Sequence, residues 1–162
     1  TNIKLISTLG VLSATKSILN VSLLSCKQTV IKPFEKFEID ANTSLAFIPV
    51  EHTVEAYAIK IKGPRPFVYA PEFRKIPPSS KKVLGDLDLA IIDGSSKTSS
   101  GQARGHETIE EGIRLGREIH AKKIFFTNIG HKTDTHENLV NFVKTIGGAK
   151  FEIAFDGMRF KI

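Results

Sequence analysis

Five histidines are the residues of this chain best suited to chemistry, because imidazole titrates near neutral pH and binds metal ions. Four of them, His52, His106, His131 and His136, fall in predicted loops or at the ends of predicted elements. α/β proteins place their sites at such positions, where a rigid sheet holds polar side chains. No two histidines stand at i, i+2 or i, i+4, so their spacing alone favours ordinary surface histidines over a metal motif.

Two neighbouring features also have a functional and a structural interpretation. Asp93 closes an apolar run and precedes Gly94, which indicates a turn and leaves a role in a site open. The segment Ser95–Ser100 resembles a phosphate-binding loop in composition only. It lacks the Gly-x-x-x-x-Gly-Lys-Ser/Thr spacing, so nucleotide binding of that type is excluded.

The elements that would position these residues change in character near residue 85. Before it, short apolar runs alternate with turns, which predicts antiparallel strands. Leu45–Val50 is one such run, Tyr57, Ile59 and Ile61 alternate in the next, and Phe67–Ala70 runs back. Pro77–Ser80 is predicted to be a loop.

After residue 85, strands alternate with helices. Leu87–Ile92 reads as a buried strand, and a helix follows the loop at Ser95–Gly105. Thr108 and Glu111 have the spacing of a capping box, which predicts the start of that helix. Its glycines, Gly112 and Gly116, share a face with isoleucines and would let the helix lie close to a sheet.

The last third of the chain predicts a strand, a helix and a hairpin. These are the strand Ile124–Thr127, the helix Glu137–Ile146 and a hairpin of Phe151–Phe155 with Met158–Ile162 around Asp156-Gly157. The order predicts an α/β (α+β) chain with a mixed sheet covered by helices on one face. Its 162 residues, 41% hydrophobic and 25% charged, suit a single domain over residues 1–162 and exclude general disorder.

Charge, cysteine content and hydropathy limit the kinds of partner, metal module and compartment that suit this chain. The net charge of +6 permits an anionic partner such as nucleic acid, but the basic residues are dispersed, which favours a solvated lysine-rich surface. A lone cysteine, Cys26, excludes a Cys-rich zinc module and makes a reducing, cytoplasmic setting the default expectation. No apolar run reaches the roughly 20 residues of a membrane helix. The start at Thr1 rather than Met suggests a trimmed chain or a piece of a longer one.

Six short motifs occur in a fixed order along the chain. They are Phe47–Thr53, Val68–Phe73, Leu89–Gly94, Gly105–Thr108, Phe126–His131 and Phe155–Met158. In this order they resemble the second half of a metallo-β-lactamase-fold hydrolase, and they are similar to the branch with the phosphonate-pathway cyclic phosphodiesterase and, more distantly, the tRNA 3′-processing endonucleases. The resemblance covers roughly residues 30–162 and implies half of an αββα sandwich, with helices on one face of a mixed sheet.

The resemblance also implies a site. Family members bind zinc or manganese as two ions about 3.5–4 Å apart and use them to attack phosphodiester or carbonyl substrates. His52 matches a metal-binding histidine, and Glu72 stands where the family has a bridging aspartate. Asn128 stands where the family has its last metal histidine, and His131 is the substitute we propose for it. His106 matches a histidine that acts as general acid/base in the phosphodiesterase branch.

This sequence departs from the family pattern in ways that bear on activity. The first-half motif His-x-His-x-Asp-His, which supplies most metal ligands, is absent. Glu72 adds a methylene relative to aspartate, and an amide at Asn128 is a much poorer zinc ligand than imidazole. Half a sandwich also leaves one sheet face bare, so we expect a partner chain, a homodimer or an N-terminal half to cover it.

The leading hypothesis is a metal-dependent hydrolase domain for phosphodiester-type substrates, incomplete by itself. His52, Glu72, Asn128 and His131 are the candidate metal ligands, and His106 is the candidate proton-transfer group. Lys97, Arg104 and Lys132, in loops beside the motifs, are the candidates for holding an anionic substrate. The alternative is a non-catalytic, metal-free interaction subunit, and a weaker alternative is a nucleic-acid-binding protein.

Overall fold

The computed structural model describes residues 4–18, 26–99 and 105–161. Short strands alternate with four helices along this part of the chain. The elements are β1 (Lys4–Ser7), α1 (Leu9–Ile18), β2 (Lys27–Val30), β3 (Phe37–Glu38), β4 (Ser44–Val50), β5 (Ala56–Lys62), β6 (Phe67–Ala70), α2 (Pro78–Lys81), β7 (Leu89–Asp93), α3 (Ile109–Glu118), β8 (Lys123–Thr127), α4 (His136–Gly147) and β9 (Phe151–Ile153).

The main sheet is mixed, as the sequence predicts. Its described strands follow chain order, β3-β4-β5-β6-β7-β8-β9. Strands β3 to β6 pair antiparallel, whereas β6 to β9 pair parallel. β1 and β2 form a separate parallel pair.

Helices cover one face of this sheet, which confirms the expected arrangement. The side chains of Ile48, Val68, Ile92 and Phe126 alternate onto that face and are almost completely buried. They belong to one core cluster with apolar residues of α3 and α4, such as Ile113. Residues one position along each strand face the opposite side.

The opposite face of the sheet is also apolar but is only partly covered. The segment from β1 to α1 lines a pocket against Phe47, Tyr57 and Ile59 of β4 and β5. Near the middle of this face Tyr69 is 42% exposed, and its cross-strand neighbour Ile91 is half-buried. This exposed apolar surface matches the expected bare face of half a sandwich.

The carboxyl ends of four strands meet at one edge of the sheet. β6, β7 and β8 are parallel neighbours, and β4 points the same way because it is antiparallel to β5, which is antiparallel to β6. His52, Glu72 and Asn128 follow β4, β6 and β8 closely, and Asp93 is the last residue of β7. The fold therefore brings to one edge residues that lie far apart in sequence.

Two local predictions are wrong. Pro77–Ser80 is not simply a loop, because the short helix α2 starts at Pro78. Proline is favoured at a first helical position, where its missing N–H is not needed. Ser80 fixes this helix to β4, because its hydroxyl donates a 2.6 Å hydrogen bond to the Pro49 carbonyl.

The predicted terminal hairpin is also absent from the described residues. Phe151–Ile153 forms β9, which pairs parallel with β8, and Ala154 N–H continues that ladder to the Phe126 carbonyl. The predicted turn at Asp156-Gly157 does form, with Met158 N–H donating to the Phe155 carbonyl at 3.1 Å. The residues after it make no strand up to residue 161, because Phe160 packs on the Phe125 ring with centroids 4.7 Å apart.

The four helices are short. Within the ranges that the structure describes, none is both long enough and apolar enough to cross a membrane.

Candidate metal centre

His52, Glu72 and His106 converge at the carboxyl edge of the sheet. One ligand-type atom of each residue lies within 4.8 Å of those of the other two. Glu72 Oε2 is central, since it lies 3.3 Å from His52 Nε2 and 3.8 Å from His106 Nδ1. Two imidazoles and a carboxylate are ligand types of zinc and manganese enzymes.

His52 directs a buried ring nitrogen, Nε2, towards Glu72. The loop that carries it is pinned to the next element, because Glu51 exchanges backbone hydrogen bonds of 2.9 Å and 2.7 Å with Lys75 and Arg74. Its side chain is only 12% exposed. Nε2 is buried and makes no hydrogen bond to any described residue. A buried nitrogen that makes no hydrogen bond is costly, although Glu72 Oε2 lies 3.3 Å away, and an ion bound by both atoms would remove that cost.

Gly105 leaves room beside this nitrogen. Its φ of +87° lies in the left-handed region, and a Cβ built there would be 3.2 Å from His52 Nε2. Any side chain at this position would crowd the atom that has no partner. The space beside Gly105 and a buried nitrogen without a hydrogen bond both fit a small cation. The residue types present therefore fit a divalent metal.

Glu72 is held by a contact from a neighbouring strand end. It is half-exposed and follows β6 by two residues. Asn128, immediately after β8, donates its side-chain amide to Glu72 Oε1 and to the Pro71 carbonyl, each at 3.1 Å. Oε1 is therefore occupied by the amide, while Oε2 faces the two histidines.

His106 is oriented by a buried carboxylate. Asp93 is fully buried, and its Oδ2 lies 2.8 Å from His106 Nδ1. Its other oxygen accepts the Ser95 N–H at 2.9 Å. Burial raises the pKa of the Asp93 carboxyl, and the hydrogen bond from His106 acts in the opposite direction. A carboxylate on Nδ1 orients the ring and favours the tautomer with its proton on that nitrogen.

The start of α3 fixes the loop that carries His106. The Thr108 hydroxyl accepts the Glu111 N–H at 3.1 Å, and the Glu111 carboxylate accepts the Thr108 N–H, so the predicted capping box is present. Ile109 N–H also donates to the Ser96 carbonyl at 2.9 Å. Glu107 stands between His106 and Thr108 in the sequence. Burial and the charge of Glu111 raise the pKa of its carboxyl to about 8.

The other predicted site residues lie outside this group. His131 and Lys132 are exposed, and the convergent group does not include His131. Lys97 Nζ is engaged, with Asp134 at 2.9 Å and the Phe142 ring centroid at 4.7 Å. Arg104 lies outside the described residues.

Sequence reasoning missed three features of the site. It did not foresee the Asp93–His106 contact, the donor role of the Asn128 amide or the need for glycine at position 105. Asp93 at the end of a buried strand was the only available signal, and it left a turn equally open. The contacts join residues up to 57 positions apart, so only the folded chain shows them.

Comparison with known proteins finds similarity in structure alone. No family model matches this sequence, and a search of curated protein sequences gives no significant match. Solved structures do match. A diphosphatase of the PhnP family has a TM-score of 0.84 and 20% identity, over 100% of this chain and 59% of its own.

Two further structures agree. YhfI from Bacillus subtilis, described as a metallo-β-lactamase-fold protein, has a TM-score of 0.77 and 20% identity, over 97% of this chain and 63% of its own. Zinc-bound PqqB from Methylobacterium extorquens has a TM-score of 0.81 and 15% identity, over 100% of this chain and 66% of its own. This chain thus spans less than two thirds of each of these three structures, and within that span it has the metallo-β-lactamase fold.

Proposed function

We propose that this chain is a metal-dependent hydrolase domain that acts on phosphodiester-type bonds. The observation that carries the proposal is the convergence of His52, Glu72 and His106 at the carboxyl edge of the sheet, with their ligand-type atoms within 4.8 Å of one another. The buried Nε2 of His52, which makes no hydrogen bond and lies 3.3 Å from Glu72 Oε2, supports a bound cation rather than a chance cluster of polar side chains.

Similarity to solved structures supports the reaction class. The matched structures include one described as a diphosphatase and one described as zinc-bound. The net charge of +6 suits an anionic substrate. Zinc and manganese are the proposed metals, because both accept imidazole and carboxylate ligands.

His52 and Glu72 would hold the metal, and His106 would transfer a proton. A divalent ion at this site acts as a Lewis acid and lowers the pKa of bound water. Asp93 holds Nδ1 of His106, so Nε2 would take a proton from the attacking water and then give it to the leaving oxygen. Proton transfer of this kind contributes about 10²- to 10⁴-fold in rate.

Three basic residues are proposed to hold the substrate. Lys132 is exposed, and Lys97 lies in a loop near the site with its ammonium paired to Asp134. Arg104 precedes Gly105, the residue beside His52. Lysine and arginine bind phosphate oxygens through charge-assisted hydrogen bonds.

A second structural unit is proposed to complete the site. Catalytic zinc usually has three protein ligands, and a two-metal site needs more. His52 and Glu72 alone are too few, and His131 is exposed apart from them. The half-exposed sheet face around Tyr69 and Ile91 offers a surface on which an N-terminal half or a partner chain would pack. The same unit would bring the missing ligands.

Hydrolysis of an activated aryl phosphodiester by the native assembly tests this proposal. We expect turnover that zinc or manganese supports, that a chelator stops, and that His52→Ala abolishes. The control is His136→Ala, which removes an exposed histidine at the start of α4. Turnover that survives both the chelator and His52→Ala would refute the proposal.

A second candidate function is a metal-free interaction subunit. The observation that favours it is the amide of Asn128, which donates hydrogen bonds at a position where the resemblance implies an imidazole ligand. In that case His52→Ala would change stability only, and the native assembly would hold no stoichiometric metal.

A further inference from the structure

We infer that Asn128 is a positioning residue that presents one oxygen of Glu72 to the metal, and that it is not itself a metal ligand. The inference rests on the proposed metal site and deepens it. An amide is a much poorer zinc ligand than imidazole, so direct ligation explains the asparagine at position 128 poorly.

The chemistry of the acceptors fixes the orientation of the Asn128 side chain. Asn128 contacts the Pro71 carbonyl and the Glu72 carboxylate. A carbonyl oxygen and an ionised carboxylate can only accept hydrogen bonds. The amide nitrogen must therefore face them, and its two protons account for both 3.1 Å hydrogen bonds. An asparagine binds metal ions through its amide oxygen, and here the amide nitrogen is the atom that faces Glu72.

The backbone at Asn128 supports the same role. Its φ is +56°, in the left-handed region, which asparagine tolerates better than most residues. This conformation lies directly after β8, and the hydrogen bond to Pro71 carries the side chain past β7 to the end of β6. Asn128 thus joins the two strand ends that flank the one carrying Asp93.

Glu72 needs such an anchor because it is long and half-exposed. A free glutamate loses substantial rotamer entropy when it is fixed on a ligand. With Oε1 held by Asn128, Oε2 already lies 3.3 Å from His52 Nε2. The carboxylate therefore offers a single oxygen to the ion, and much of the ordering cost is met before the metal arrives.

Metal binding to Asn128→Ala, measured by titration calorimetry with Zn²⁺, tests the inference. We expect roughly 10- to 100-fold weaker binding, the usual effect of removing a group that orients a metal ligand. The control is Asn141→Ala, an exposed asparagine of α4, which should bind Zn²⁺ like the wild type. Melting temperatures of both variants separate this effect from unfolding.

A double-mutant cycle distinguishes positioning from direct ligation. If Asn128 acts through Glu72, the double variant Glu72→Ala/Asn128→Ala binds Zn²⁺ no more weakly than Glu72→Ala alone. An additional loss in the double variant would show that Asn128 is a ligand and would overturn the inference. So would wild-type affinity in Asn128→Ala.

A crystal structure of metal-free Asn128→Ala gives a readout that needs no metal. We expect the Glu72 carboxylate to turn away from His52, whereas an unchanged Oε2 position would overturn the inference. Should the native assembly bind no Zn²⁺, the proposed hydrolase function fails, and this structure still decides whether Asn128 positions Glu72.

Discussion

At the scale of single residues, the site is defined by one buried nitrogen and the space beside it. His52 Nε2 makes no hydrogen bond to the described residues, and Gly105 leaves room next to it. Asn128 and Asp93 then orient the two other members of the group, Glu72 and His106. The arrangement is suited to holding a cation and moving a proton beside it.

Gly105→Ala tests the space beside His52. The new Cβ would lie 3.2 Å from Nε2, so we expect weaker Zn²⁺ binding together with lower stability. The control is Gly148→Ala, which has nearly the same φ, +84°, and nothing within 4 Å of the new Cβ. It shows the effect of backbone strain alone, about 1–2 kcal/mol. Metal affinity equal to the wild type in Gly105→Ala would contradict the account.

Glu107 makes the stability of this chain depend on pH. Burial and the Glu111 charge raise its carboxyl pKa from 4.5 to about 8. The native state therefore binds this proton more tightly than the unfolded state does. Stability from this group is fully present below the unfolded pKa and is lost as pH rises towards the folded pKa.

Glu107→Gln should remove that dependence. We expect the variant to melt at a higher temperature than the wild type near pH 8 and at almost the same temperature near pH 4.5. These two pH values correspond to the pKa of Glu107 in the folded state and its ordinary value. Glu137→Gln, at an exposed residue of α4, is the control. Melting curves recorded in chelator check this, and equal destabilisation at both pH values would contradict it.

At the scale of elements, α3 sets the distance between the His106 loop and the sheet. A Cβ at Gly112 would lie 2.5 Å from Phe126 Cε1, and one at Gly116 would lie 2.3 Å from Ile124 Cδ1. The prediction that these glycines let the helix lie close to a sheet is therefore confirmed. Close packing holds the start of α3 beside the strand ends.

Gly112→Ala should destabilise the chain although alanine favours helix. The gain in helix propensity is about 1 kcal/mol, whereas overpacking a filled core costs about 1–3 kcal/mol. Because the clash is with a fully buried Phe126 ring, we expect a net loss in the free energy of unfolding. Chemical denaturation measures it, and a more stable variant would refute the close packing.

Local signals explain which elements the sequence predicts well. The cap at Thr108 and the glycines Gly147 and Gly148, at the last residue and the C-cap of α4, lie within a few residues of the helices that they delimit, so α3 and α4 were predictable. The strand at Phe151 was predicted, but its partner was not, because that partner is β8, more than twenty residues away, and not the segment after Asp156. Non-local pairing of this kind leaves no short-range signal.

The candidate site was predictable in part, for a related reason. His52, Glu72 and His106 were singled out from a resemblance in motif order, since their spacing alone gave no metal pattern. Only the alignment of four strand ends brings them together. The orienting contacts of Asp93 and Asn128 depend on that alignment and had no sequence signal of their own.

At the scale of the whole molecule, the central feature is the apolar sheet face opposite α3 and α4, which offers a surface for association with another layer. Tyr69 is 42% exposed there, beside the half-buried Ile91. Exposed apolar surface of this kind promotes association with another layer. The matched structures are also longer than this chain, which spans 59% to 66% of them.

Tyr69→Lys tests whether this face is an interface. We expect the wild-type chain by itself to self-associate with increasing concentration, and the variant to sediment as a monomer with an unchanged circular dichroism spectrum. Val140→Lys, at a partly exposed residue of α4, serves as the control and should behave like the wild type. Identical sedimentation of the wild type and Tyr69→Lys would argue against an interface at this face.

The metal content of the purified native assembly, measured by elemental mass spectrometry after loosely bound ions are stripped, tests the central claim most directly. The account predicts stoichiometric zinc or manganese in the wild type and loss of that metal in His52→Ala, whose Nε2 is the unpartnered atom of the site. Absence of metal from the wild type, or full retention by His52→Ala, would contradict it.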